Sequence, residues 1–68
     1  MSVIIFGIPK GNNTLEKRIN RELHRINAIM IQHSVWKADN NLELIKIATE
    51  IKNSKGKAII LEERMIFH

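Results

Sequence analysis

Hydrophobic positions along this chain change period several times, and each change marks an element. Residues 3–8 are apolar at nearly every position and close on Pro9 and Gly11. That is the composition of a strand covered on both faces. Val3 and Ile5 fall on one of its faces, and Ile4, Phe6 and Ile8 on the other. The period then lengthens. Leu15, Ile19, Leu23 and Ile26 recur at steps of four, four and three, one stripe of an amphipathic helix. Asn13, with Glu16 three residues on, reads as its N-cap and capping box, predicting a helix over 14–27. Residues 28–38 are apolar on either side of the polar Gln32-His33-Ser34, so they read as one bent strand or two strands meeting at a bend or bulge. Without a bulge, Ile29, Ile31 and Val35 share one face, and Met30 and Trp36 the other. A bulge at His33-Ser34 reverses that relation.

The helical signature then repeats. Asn40 is an N-cap with Glu43 at the third helical position, predicting a helix over 41–54. Leu44, Ile45, Ala48 and Ile51 form its expected buried stripe, widened by Leu42 and Ile47. Gly56 is the expected left-handed stop, with Lys52 and Lys55 near the negative helix end. A strand over 57–61 follows. Glu62-Glu63-Arg64 interrupts the apolar run, which Met65-Ile66-Phe67 resumes as a short extra strand or a flap. The order strand, helix, two strand segments, helix, strand implies an α+β fold. The expected architecture is a single ferredoxin-like two-layer sandwich (βαββαβ) spanning 1–68. Helices cover one face of such a sheet, yet the first and last strands are apolar on both. An uncovered apolar face on a small domain marks an interface, so a homodimer is expected, joined sheet on sheet or through the tail.

Size supports the same expectation. With 68 residues and no cysteine, the chain has a marginal core and no disulfide to staple it; self-association is the remaining common device. The absence of cysteine fits a cytoplasmic setting. No segment approaches the roughly 18 unbroken apolar residues of a membrane span, and residues 3–8 are too short for a leader. A formal charge of +4 and a pI near 9.9 make nucleic acid a candidate partner. Arg18, Arg21 and Arg25 share a face of the first helix, beside Lys17 and the loop residue Lys10. Glu22 is placed to neutralise Arg18 or Arg25. The face is either a solvated helix surface or a phosphate contact.

Catalytic chemistry finds little support. Asp39 fits a helix cap better than a metal ligand. Glu62 and Glu63 are adjacent and point apart on a strand. His24, His33 and His68 have no zinc-ligand spacing. His33 beside Ser34 is not a nucleophile with its base, because neighbours on a strand diverge. Lys10-Gly11 lacks the surroundings of a phosphate-binding loop. Trp36 could stack a base or simply fill the core.

Two segments carry a resemblance: Phe6-Gly7-Ile8-Pro9 followed by a basic amphipathic helix, and Gln32-His33-Ser34-Val35-Trp36. Together they resemble the CRISPR-associated Cas-two family. They are also similar to the related domain of phenylacetate-type transcriptional repressors and to virulence-associated protein D. The resemblance covers about residues 3–61 and implies a ferredoxin-like homodimer that binds duplex DNA by its backbone and joins a protein partner in antiviral defence. Some members of that family are metal-dependent nucleases, whose carboxylate ends the first strand. Here Gly7 stands at that position and cannot hold magnesium or manganese. The expectation is therefore a non-catalytic or weakly catalytic nucleic-acid-binding dimer without cofactor or membrane contact. Lys10, Lys17, Arg18, Arg21, Arg25 and Lys37 are its expected phosphate contacts. Two alternatives stay open: a metal-dependent endonuclease acting on RNA or DNA, and a protein-interaction or regulatory dimer without a nucleic-acid ligand.

Overall fold

A computed structural model describes residues 1–62. Strand β1 (Ser2–Gly7) leads to helix α1 (Asn13–Arg25), a hairpin of β2 (Ile29–Gln32) and β3 (Val35–Ala38), helix α2 (Asn41–Asn53) and strand β4 (Lys57–Glu62). The strands form one sheet in the order β2-β3-β1-β4, with every neighbouring pair antiparallel. Both helices pack on one face of it. This is the α+β ferredoxin-like sandwich that the hydrophobic pattern implied. The Met65-Ile66-Phe67 run lies outside the described residues.

The core between the layers is aliphatic around one tryptophan. Ile4 of β1, Trp36 and Ala38 of β3 and Ala58 of β4 meet Leu15, Ile19 and Leu23 of α1 and Leu44, Ile47, Ala48 and Ile51 of α2. The α2 stripe departs from the expected one at Leu42 and Ile45, which are exposed, while Ile47 is buried with Leu44, Ala48 and Ile51. The helix packs over β4 and β1, and Ile45 lies at its β4 edge in a groove with Ala58 and Ile60. Spacing alone admits either choice, because a helix with apolar residues at so many positions has more than one usable face.

Helix ends show how local chemistry and packing divide the work. Asn40 caps α2 as expected, its Oδ1 accepting the Glu43 amide at 3.1 Å. For α1 the cap is Asn12, one residue earlier than expected, accepting the Leu15 amide at 3.2 Å. Adjacent asparagines offer the same chemistry, and loop length selects between them. Helix α1 stops at Arg25 rather than at residue 27, because Asn27 enters the left-handed region at φ 61. The Ala28 amide then returns to the Leu23 carbonyl at 2.9 Å and Asn27 to His24 at 3.0 Å, a Schellman closure. Helix α2 closes the same way, with Gly56 bonding Ile51 at 2.8 Å and Lys55 bonding Lys52 at 3.0 Å. Its left-handed residue is Lys55, at φ 70, and not the expected Gly56. Gly56 serves a different need. A Cβ there would stand 2.6 Å from Ile51 Cγ2 and 2.7 Å from the Gly7 carbonyl oxygen. Glycine lets the chain pass between α2 and β1 on its way into β4.

The central segment is two strands. His33 and Ser34 make the turn, with Ser34 left-handed at φ 66 and its carbonyl accepting the Phe6 amide at 3.1 Å. The irregularity lies at Ile31, between the pairs Met30↔Trp36 and Gln32↔Val35, instead of at His33-Ser34. Met30 and Trp36 therefore face the helices, while Ile29 and Val35 face the open side.

Candidate nucleic-acid interface

The register sets what gathers at each end of the sheet. Gly7 pairs with Lys57, and Ser2 pairs with both Ala38 and Glu62. One end therefore collects the loop after β1 with Lys10, the first turns of α1 with Lys17, the last turn of α2 with Lys52, then Lys55 and the start of β4 at Lys57. The His33-Ser34 turn lies at this end too. None of these lysines has an ion pair among the described residues, and all are exposed. Lys52 and Lys55 also complement the negative end of α2, and that end offsets the positive N-terminus of α1 nearby.

The expected phosphate contacts separate into four groups. Lys10 and Lys17 belong to the lysine-bearing end. Arg18 and Arg25 reach toward α2: Arg18 Nε lies 3.0 Å from Glu50, and Arg25 bonds Glu22 at 3.1 Å and Glu43 at 2.9 Å. Hydrogen bonds donated by Arg25 hold the Glu22 carboxyl below the ordinary carboxylate range, and their acceptance by Glu22 and Glu43 raises Arg25 in turn. Arg21 is exposed and makes no ion pair among the described residues, though its charge also lowers Glu22. Lys37 sits on the opposite sheet face, in register with Val3 and Ile29. Of the six, Lys10 and Lys17 thus join Lys52, Lys55 and Lys57. Lys52 and Lys55 have an ordinary electrostatic explanation at the helix end, and Lys57 opens a strand, so the sequence alone gives no reason to group them.

Charge is consequently uneven. Glu22, Glu43 and Glu50 are consumed between the helices, and Asp39 lies 4.0 Å from the N-terminal amine at the far end. Among the described residues only Glu16 opposes the lysines at their end. A low net charge thus becomes a strongly positive rim.

Among the described residues the sheet face away from the helices is apolar and in part exposed, although Val3 on it is buried at 3%. Ile5 is 38% exposed, Ile29 55% and Ile59 59%. Val35, Ile5 and Ile59 form one row across three strands, and Lys37, Val3 and Leu61 the next.

Gly7 is exposed, and a Cβ there would meet nothing within 4 Å. The missing carboxylate is therefore not a steric necessity. Asp39 follows the strand end opposite Gly7, about 17 Å away along five residues of strand, so the two positions do not converge. Among the described residues no group of three or more His, Cys, Asp or Glu side chains is gathered for a metal ion. His24 and His33 do approach one groove between α1 and the hairpin, a meeting their separation in sequence conceals. Among the described residues no helix is long and apolar enough to cross a membrane. No protein-family model matches this chain, and neither a curated protein nor a solved structure does.

Proposed function

We propose that this chain is a homodimeric nucleic-acid-binding protein that grips the phosphate backbone of duplex DNA and does not cleave it. The observation that carries the reading is the concentration of unpaired lysines, Lys10, Lys17, Lys52, Lys55 and Lys57, at one end of the sandwich. Point charges on flexible stems suit phosphates and carry no means of reading bases. The uncovered row of Val35, Ile5 and Ile59 supports pairing of two copies, which would double the phosphates reached. The likeness of Gln32-His33-Ser34-Val35-Trp36 to the Cas-two family supports the same reading and implies a cytoplasmic role in antiviral defence. Gly7 weighs against the metal-dependent nuclease.

Fluorescence anisotropy with a labelled blunt duplex, titrated at several salt concentrations, tests this. Five phosphate contacts per protomer give a log–log salt slope of about −4.5 for each protomer engaged. Replacing Lys52, Lys55 and Lys57 with glutamine should reduce that slope by about 2.7 per protomer. Replacing Arg18 and Arg25 should leave it nearly unchanged, since α2 glutamates already neutralise them. Absence of binding at low salt would refute the reading. The exposed isoleucine face would then favour the protein-interaction dimer.

A further inference from the structure

The groove between α1 and the β2–β3 hairpin has a composition that backbone gripping does not use. It encloses about 430 Å³, within the range of small-ligand sites. Its apolar side is built by Phe6, Ile8, Ala28 and Met30, with Trp36 at the base. Its polar wall comes from Glu16, Asn20 and His24, spaced four residues apart on α1 and so stacked along one helix face. His33 and Ser34 close the end nearest the lysines. The His24 ring meets Trp36 edge-on, with centroids 5.3 Å apart and planes at 88°. The side chains of Glu16, Asn20 and His33 make no hydrogen bond or ion pair among the described residues. Their polar atoms are free for a ligand.

We propose that this groove holds one unpaired nucleobase, delivered by a single-stranded overhang whose flanking phosphates lie on Lys10 and Lys17. Three features select a base over a phosphate or a purely apolar ligand. The Glu16 carboxylate repels an anion but accepts N–H groups. Asn20 supplies both a donor and an acceptor. The apolar side, with Met30 and Phe6, offers surface to a flat ring, and aromatic and thioether contacts tolerate any base. Guanine fits the wall best, because its N1–H and amino group present two donors along one edge to Glu16. The inference rests on the backbone-binding reading only for the strand that delivers the base; the groove itself is tested separately.

Trp36, the sole tryptophan, makes the test direct. Wild-type protein is titrated with a blunt duplex and with the same duplex carrying a three-nucleotide guanine overhang, reading anisotropy and tryptophan emission. The overhang should tighten binding roughly 5- to 150-fold, the range of one stacked base, and change Trp36 emission. Asn20→Leu and His33→Ala, both at exposed positions, should lose that preference and keep blunt-duplex affinity, which also reports that they fold. Equal affinity for both duplexes with unchanged emission overturns the groove assignment and leaves backbone binding standing. If neither duplex binds, guanosine monophosphate is titrated against Trp36 emission. A saturable change abolished by Asn20→Leu supports the groove while backbone gripping fails. No change overturns both.

Discussion

Replacing Gly56 with alanine should destabilise the fold far more than its size suggests. The added methyl would stand 2.6 Å from Ile51 Cγ2, 2.7 Å from the Gly7 carbonyl oxygen and 3.1 Å from the Ile51 carbonyl oxygen. Ile51 is fully buried between the layers and cannot swing aside. The Gly7 carbonyl belongs to β1, whose register with Lys57 begins one residue later. Relief therefore requires α2 and the β1–β4 pair to separate locally. Overpacking of this kind costs about 1–3 kcal/mol, and two rigid partners place the cost at about 2–3 kcal/mol. In a domain this small each kcal/mol lowers Tm by about 4–8 °C, so a fall of about 8–24 °C is expected. Thermal unfolding followed by far-UV circular dichroism measures it, at one protein concentration because self-association would shift Tm. Lys55→Gly is the paired control. Its φ of 70 strains an L-residue and suits glycine, so Tm should rise by about 4–8 °C, the equivalent of about 1 kcal/mol. A Gly56→Ala protein melting within about 2 °C of wild type would refute the close passage between α2 and β1.

Further expectations concern the interface, the caps and acid stability. Ile59 is 59% exposed, so covering it in both copies of a dimer contributes about 2–4 kcal/mol; Ile59→Lys should weaken dimerisation about 30- to 900-fold by analytical ultracentrifugation while the monomer stays folded. A variant with unchanged association would remove this face from the interface. Asn12→Ala should cost about 1 kcal/mol in urea unfolding and Asn13→Ala much less; the reverse order would return the α1 cap to Asn13. Gly7→Asp should shift stability by under about 1 kcal/mol, since its Cβ enters open space, and a large loss would show that the position is closed. Arg25 holds the Glu22 carboxyl below its ordinary 4.5. The stabilisation is present above that value and lost as pH falls through the lower folded one. Glu22→Gln should therefore flatten the acid limb of the stability profile below about pH 4.5, and an unchanged limb would show the ion pair to be idle.

Local chemistry sufficed for much of this protein. The apolar run before Pro9, the four-four-three stripe of α1 and the Asn40–Glu43 cap each act within a few residues, so their elements and the α+β class were legible in the sequence. Choices between near-equivalent neighbours were not. Asn12 and Asn13 offer the same cap, and Lys55 and Gly56 compete for one left-handed position. Loop length and the passage of Gly56 beneath Ile51 decide both. The candidate site depended on tertiary structure still more. Antiparallel pairing of Gly7 with Lys57 brings Lys10 beside residues nearly fifty positions away, and helix packing consumes Arg18 and Arg25 against Glu50, Glu22 and Glu43. It also sets His24 and His33 on one groove. Periodicity tells which face of an element is buried, because that is a local property of the chain. Which charges remain free, and which distant side chains share a groove, depends on where whole elements pack, and only the assembled sheet and helices decide it.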